Sequence, residues 1–165
     1  DSLLVHAGVW PGWSVREVLS LASEVEAILK DMDLLKGFMQ HFYGDEGCWQ
    51  PGISGWKRVR CLINIFTRIR MLNQDMQMCF NYTGPADYGM NVQGDDSDTP
   101  EQLTPWYLWL RQWPCRQIIF GHWAMLKGET GCQDIINIDG GYIYGGALIA
   151  LNCETKDRII VKNPG

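Results

Sequence analysis

The sequence predicts an α/β (α+β) chain, and three observations lead there. Leu3-Leu4-Val5 is a short apolar run that stops at His6-Ala7-Gly8, as a buried strand does. Between residues 15 and 70, apolar residues recur three and four apart, the helical period. From residue 115 onward the pattern changes to short apolar runs separated by Gly, Asn and Asp, the mark of strands. With 165 residues, one domain spanning 1–165 is expected, and it is long enough to bury a core.

The elements follow in order. After the first strand, Trp10-Pro11-Gly12-Trp13 reads as a turn. Ser14 and Glu17 then give S-x-x-E, a capping box. Val15, Val18, Leu19, Ala22, Val25, Ile28 and Leu29 follow at helical spacing, so an amphipathic helix over 15–30 is expected, with a packing role. Asp31 or Asp33 can cap a second helix ending near Phe42. His41 lies on that helix and reads as structural. A third helix is expected over 57–70, with Val59, Leu62, Ile63, Phe66 and Ile69 on its apolar face and Arg60, Asn64 and Thr67 on a polar flank. At 100° per residue Arg70 falls in the middle of the apolar face and Arg68 nearly opposite. Either Arg70 lies at a cleft, or the helix ends by Ile69 and the wheel no longer applies.

From residue 73 the chain turns polar and Gly-rich. A short strand is predicted within 77–82, and 84–104 reads as a surface excursion, by default a solvated loop and otherwise a lid. Residues 106–113 give one or two helical turns whose aromatics belong to the core. Strands are predicted over 115–120 and 134–138. A hairpin joins 147–153 to 158–162 across Glu154-Thr155-Lys156-Asp157. The Gly-rich stretch 139–146 lacks P-loop spacing and is not read as a phosphate cradle.

Composition narrows the function. The net charge of −5 argues against broad nucleic-acid binding. The charge is unevenly placed: 84–104 holds Asp87, Asp95, Asp96, Asp98 and Glu101 without a base, and 56–70 holds Lys57, Arg58, Arg60, Arg68 and Arg70 without an acid. The basic helix suits an anionic ligand. The 8 Trp are unusual, because each buried indole N–H wants a partner. The 6 Cys form no C-x-x-C, so free thiols in a reducing, cytoplasmic setting are expected. No signal peptide or membrane span is visible. The chain begins at Asp1 and enters a strand at once, as if cut from a larger protein.

Two histidines stand at strand ends, His6 beside Ala7-Gly8 and His122 after Ile118-Ile119-Phe120-Gly121. A strand fixes an imidazole in place and an adjacent small residue leaves room, which suits a metal ligand as well as a satisfied core histidine.

A resemblance bears on that choice. Leu4-Val5-His6-Ala7-Gly8-Val9, Pro11-Gly12-Trp13-Ser14, Tyr43-Gly44-Asp45, Asn64-Ile65-Phe66-Thr67-Arg68-Ile69-Arg70, Phe120-Gly121-His122-Trp123-Ala124, Ile138-Asp139-Gly140-Gly141 and Gly145-Gly146-Ala147-Leu148 occur in this order. Together they resemble the C-terminal part of the bacterial symmetrical diadenosine tetraphosphate hydrolases, calcineurin-like metallophosphoesterases close to the serine/threonine phosphoprotein phosphatases. V-H-A-G and G-H are shared across that superfamily; N-x-x-T-R-x-R with F-G-H-W-A belongs to the dinucleotide hydrolases.

The resemblance implies a portion of a two-sheet metallophosphoesterase sandwich, with a mixed sheet and a helical insert. It implies hydrolysis of diadenosine tetraphosphate to two ADP at a pair of divalent ions, Mn²⁺ or Co²⁺, roughly 3.5–4 Å apart. His6 and His122 would be ligands of one ion, and Arg68 or Arg70 would neutralise the phosphates of the dinucleoside polyphosphate. The family's G-D-x-H-G, G-D-x-x-D-R-G and G-N-H-D/E motifs are not in this sequence and belong upstream of the first strand. No complete catalytic set is therefore present, and the chain alone is expected to be inactive and to bind metal weakly. Gly140 stands where the family typically has Thr. A phosphoprotein phosphatase fragment and a non-catalytic module of the same fold are the alternatives. No membrane or nucleic-acid partner is expected. Apolar strand faces left without a partner sheet are expected to be exposed and to favour self-association.

Overall fold

The computed structural model describes residues 2–86, 91–93, 100–110 and 117–165, with only the backbone of 91–93 and 100–101. The acids Asp87, Asp95, Asp96 and Asp98, the side chain of Glu101 and the first residues of the strand predicted from 115 lie outside what is described.

In chain order the elements are β1 (Ser2–Leu4), α1 (Val15–Lys30), α2 (Met32–Met39), α3 (Gly55–Arg68), β2 (Met71–Leu72), β3 (Met78–Cys79), β4 (Asn91–Gln93), β5 (Pro100–Gln102), β6 (Thr104–Pro105), β7 (Gln117–Phe120), β8 (Ile135–Asn137), β9 (Asp139–Gly140), β10 (Ala147–Leu151) and β11 (Arg158–Lys162). The fold is mixed α/β. Among the described residues the strands do not form one mixed sheet. They divide into a parallel sheet β1-β7-β8, antiparallel sheets β11-β10-β9 and β3-β2-β6, and the pair β4-β5. The break between the first two sheets falls at fully buried Asn137. Its side-chain Oδ1 accepts the Asp139 amide at 3.0 Å, an Asx turn that bends the chain out of β8 and into β9.

The first helix has the expected bounds, and its capping box is formed. The Ser14 hydroxyl accepts from the Glu17 amide, and the Glu17 carboxylate accepts from the Ser14 amide at 2.8 Å. Helix α2 is capped by the Asp31 carboxylate and ends before Phe42. Arg58 of α3 donates to both Glu24 oxygens, at 2.7 and 2.9 Å, clamping α3 to α1. The same guanidinium lies over Trp49 at 4.8 Å.

Helix α3 stops at Arg68, and Ile69 turns to extended backbone with ψ 133°. The helical wheel therefore does not govern Arg70. Ile69 drops into the core, and Arg70 leaves on an extended chain that runs into β2. The sequence reading missed the two-residue strands β2 and β6, which are too short to alternate. It also read as loop a stretch in which β4 pairs with β5. Pro100 and Pro105 both fall on edge strands of their sheets, where a missing N–H is tolerated.

The core gathers around Trp106, Trp123, Phe38, Phe120, Leu62 and Ile65, all essentially inaccessible. Trp123 finds a partner, donating its indole N–H to the Gly84 carbonyl at 2.8 Å. The indole N–H groups of Trp13 and Trp106 have none among the described residues, each a cost of about 1–3 kcal/mol against the area it buries. A Cβ at Gly8 would sit 2.6 Å from Trp106 and 2.7 Å from Ile69, so the first strand can leave the sheet only through a residue without a side chain.

Candidate metal centre

Strands β1 and β7 are parallel neighbours, with Leu4 opposite Ile119. The ladder continues past both strand ends: Val5 donates to the Ile119 carbonyl at 3.0 Å, and Gly121 donates to the His6 carbonyl at 2.9 Å. Each histidine is the second residue beyond its strand, His6 after Leu4 and His122 after Phe120. The register therefore delivers two imidazoles to the same edge, the carboxyl edge of a parallel sheet, where α/β proteins place ligands. Their ring centroids are 5.1 Å apart. The Ala7 amide donates to the Phe66 carbonyl at 2.8 Å, which holds the His6 turn against the end of α3.

His122 is held in an uncommon state. Its φ is +66°, in the left-handed region, which costs a side chain about 1–2 kcal/mol and is found at ligand sites more often than elsewhere. Its Nε2 is buried and has no hydrogen-bond partner. Burial, then the cationic Arg70, then His6 push its pKa down to about 4, against smaller opposing effects of the Arg68 backbone and Asp139. The ring is thus neutral at pH 7 with a lone pair or proton unspent. A divalent cation fits that orphaned nitrogen and its neighbour on His6. Two imidazoles are half of a coordination shell. Among the described residues no group of three or more His, Cys, Asp or Glu is placed to hold an ion. The residues present fit part of a metal site.

The room predicted beside His122 is not where a glycine is most needed. A Cβ at Gly121 would make only ordinary contacts, 3.7 Å from the His6 carbonyl and 3.9 Å from Asp139. A glycine the structure does require at this site is Gly140. A Cβ there would lie 2.2 Å from the Ala147 carbonyl oxygen, its register partner across β9 and β10. This packing accounts for Gly at the position where the resemblance leads one to expect Thr.

The two arginines are separated. Arg70 lines a cavity of about 880 Å³ together with His122. Its Nη2 donates to the His122 carbonyl at 3.4 Å. Burial, and then Arg68 beside it, lower its pKa. Arg68 turns the other way. Its Nη1 donates to Asp45 at 2.8 Å and Asn64 at 3.1 Å, and its plane lies over Phe80 at 4.1 Å. His41 is remote from this chemistry and stacks on Trp56 at 5.9 Å, in keeping with a structural role.

Sequence reasoning missed one contributor. The Gly-rich stretch after β8, set aside for lack of P-loop spacing, supplies Gly140, Gly141, Tyr144 and Gly146 to the wall of the His122 cavity. Lys127 and Lys162 add positive charge at the same wall. The density of glycine was the available signal: two backbone segments approach closely there, and the Gly146 amide donates to the Gly141 carbonyl at 3.0 Å.

The comparisons with known proteins agree with one another. A symmetrical bis(5'-nucleosyl)-tetraphosphatase of Neisseria gonorrhoeae is 33% identical over 168 residues, covering 99% of this chain and 55% of the relative. The enzymes of the same name from Janthinobacterium sp. (strain Marseille) and Azotobacter vinelandii are 35% and 36% identical, covering 99% and 94% of the chain. Over nearly its whole length the chain is similar to enzymes of this name. It spans about half the length of the curated relatives it matches. No protein-family model matches it. Among the described residues no helix of this tetraphosphatase homologue is long and apolar enough to cross a membrane.

Proposed function

We propose that the chain is the C-terminal portion of a dinucleoside tetraphosphate hydrolase that acts symmetrically and releases two nucleoside diphosphates. His6 and His122 are ligands to one ion of a divalent pair, Mn²⁺ or Co²⁺, and the remaining ligands come from protein outside this chain. When bound, such a pair supplies Lewis-acid polarisation of a phosphoryl oxygen and a nucleophile at neutral pH. Of the two arginines, Arg70 meets the phosphate chain beside His122; Arg68, held by Asp45, lines the neighbouring cavity. In the intact enzyme the sheets belong to a metallophosphoesterase sandwich, and the protein works in the cytoplasm.

The observation that supports this reading is the meeting of His6 and His122 at 5.1 Å, with the buried Nε2 of His122 unspent and Arg70 at its back. Two imidazoles beside a guanidinium form a place for a cation and a phosphate together. The names of the similar proteins support the substrate class.

The test is hydrolysis by the intact protein supplied with Mn²⁺ or Co²⁺. Diadenosine tetraphosphate should give ADP as the sole nucleotide product, and a phosphopeptide should be left untouched. Release of ATP and AMP, or faster turnover of the phosphopeptide, overturns the reading. The 165-residue chain alone should show no turnover under the same conditions.

A further inference from the structure

A second cavity, of about 450 Å³, lies beyond Arg68 and takes no part in the metal centre. Its volume falls within the ~300–1,000 Å³ of ligand sites. Its lining differs in kind from that of the His122 cavity. It has no lysine; it has Phe42, Tyr43, Asp45, Asn64 and Arg68. Phe42 and Tyr43 form a corner, their rings 5.5 Å apart and 80° to one another. Both are open to solvent, Tyr43 to 91%, and so present bare aromatic surface next to charged groups.

The floor is built rather than accidental. Phe80 covers one face of the Arg68 guanidinium, and Asp45 and Asn64 hold its Nη1, so the plane is fixed where Arg68 lines the cavity. The Tyr43-Gly44-Asp45 segment is fixed as well. Asn64 donates to the Gly44 and Glu46 carbonyls at 3.1 and 3.3 Å. A Cβ at Gly44 would strike the Arg60–Glu46 pair at 2.6 Å, so the segment has to pass there without a side chain. A flat guanidinium and aromatic faces around a partly polar pocket are the means by which proteins hold a nucleobase.

The location has meaning if the proposed hydrolase reading holds. Symmetrical cleavage breaks the middle of the tetraphosphate, so each base must lie two phosphates away from the metal centre. Arg68, the last residue of α3, and Arg70 are two positions apart, their Cα atoms within about 7 Å, with Arg70 at His122 and Arg68 at this cavity.

We propose that the cavity bounded by Phe42, Tyr43 and Arg68 seats one nucleoside of the dinucleotide, its base stacked on the fixed guanidinium and its phosphates running toward Arg70. This rests on the hydrolase reading for the identity of the ligand, but its test requires no turnover. ADP and pyrophosphate are titrated separately into the 165-residue chain, with aromatic resonances observed by NMR. ADP should move the ring signals of Phe42 and Tyr43, and pyrophosphate should not. Tyr43→Ala and Phe42→Ala should each weaken ADP about 10-fold and leave pyrophosphate affinity unchanged. Tyr43 is so exposed that its removal does not threaten the fold. ADP binding no tighter than pyrophosphate, or ADP affinity unmoved in both variants, overturns the seat. Failure of the hydrolase reading in the turnover assay is a separate outcome, because the titration reads nucleotide binding at this cavity whether or not the intact protein cleaves its substrate.

Discussion

The amide of Gly121 donates to the carbonyl of His6 at 2.9 Å, and this one bond sets the offset between the two imidazoles. It is the last rung of a parallel ladder. A shift of one residue between β1 and β7 would turn one ring to the other side of the sheet. The meeting of the two imidazoles is thus a product of strand register before it is a product of side-chain chemistry.

The first prediction concerns His122. The chain should bind Co²⁺ weakly through two nitrogens, and His122→Asn should abolish that binding while the chain stays folded, since Asn tolerates the left-handed region. His122→Val should lose the metal and also destabilise the chain by about 1–2 kcal/mol relative to Asn, because a β-branched side chain is strained at φ +66°. Visible absorption of Co²⁺ and urea unfolding separate the two effects. Equal midpoints for Val and Asn would deny the strain.

Gly140→Thr should cost about 1–3 kcal/mol or more, as overpacking does. The new Cβ meets backbone, the Ala147 carbonyl 2.2 Å away, which has little freedom to yield. A denaturant midpoint shows this directly. An unchanged midpoint would mean that β9 and β10 separate freely.

Acid should loosen the Arg60–Glu46 clamp. Hydrogen bonds from Arg60, at 2.7 and 2.6 Å, hold the Glu46 carboxyl below its usual 4.5. A carboxyl depressed in the folded state stabilises above its unfolded pKa, and that contribution is lost as pH falls through the folded value. Wild type should therefore exceed Glu46→Gln in stability above about pH 4.5, with the gap closing below it. A gap independent of pH would place the role of Glu46 in packing alone.

The edge strand β11 is exposed along its whole length, with Ile159 68%, Ile160 56% and Val161 55% accessible. Among the described residues one side of its ladder is unpaired. Isolated chain should self-associate at high concentration through this edge, and Ile160→Lys should suppress it. Light scattering behind size exclusion reads the mass. A monomer at every concentration would show that the flanking Arg158 and Lys162 already guard the edge.

Much of this architecture was legible in the chain, for definite reasons. The first helix announced itself through Ser14, Glu17 and a long apolar stripe. The late hairpin did so through Glu154-Thr155-Lys156-Asp157; the Asn152 side chain, read as strand, also serves the turn by accepting from the amides of Glu154 and Thr155. His6 and His122 were readable as a pair because each follows an apolar strand, although only pairing of those strands brings them together. The fate of Arg70 was not readable: two residues of extended chain cancel a helical wheel, and nothing local marks Arg68 as the last helical residue. The division of the strands was equally hidden, since it turns on one side-chain bond at Asn137. The seat beside Arg68 was missed because Tyr43-Gly44-Asp45 looks like any loop until α3 is folded against it.

The left-handed backbone at His122 also bears on how relatives of this chain should be compared. Few residues sit comfortably at φ +66°; Gly, Asn and His are among them. Substitution there is narrowed by the shape of the main chain, whatever the chemistry asks. A histidine retained at this point in a distant descendant is therefore weak testimony to a retained site, whereas His6, under no such restraint, is the better witness.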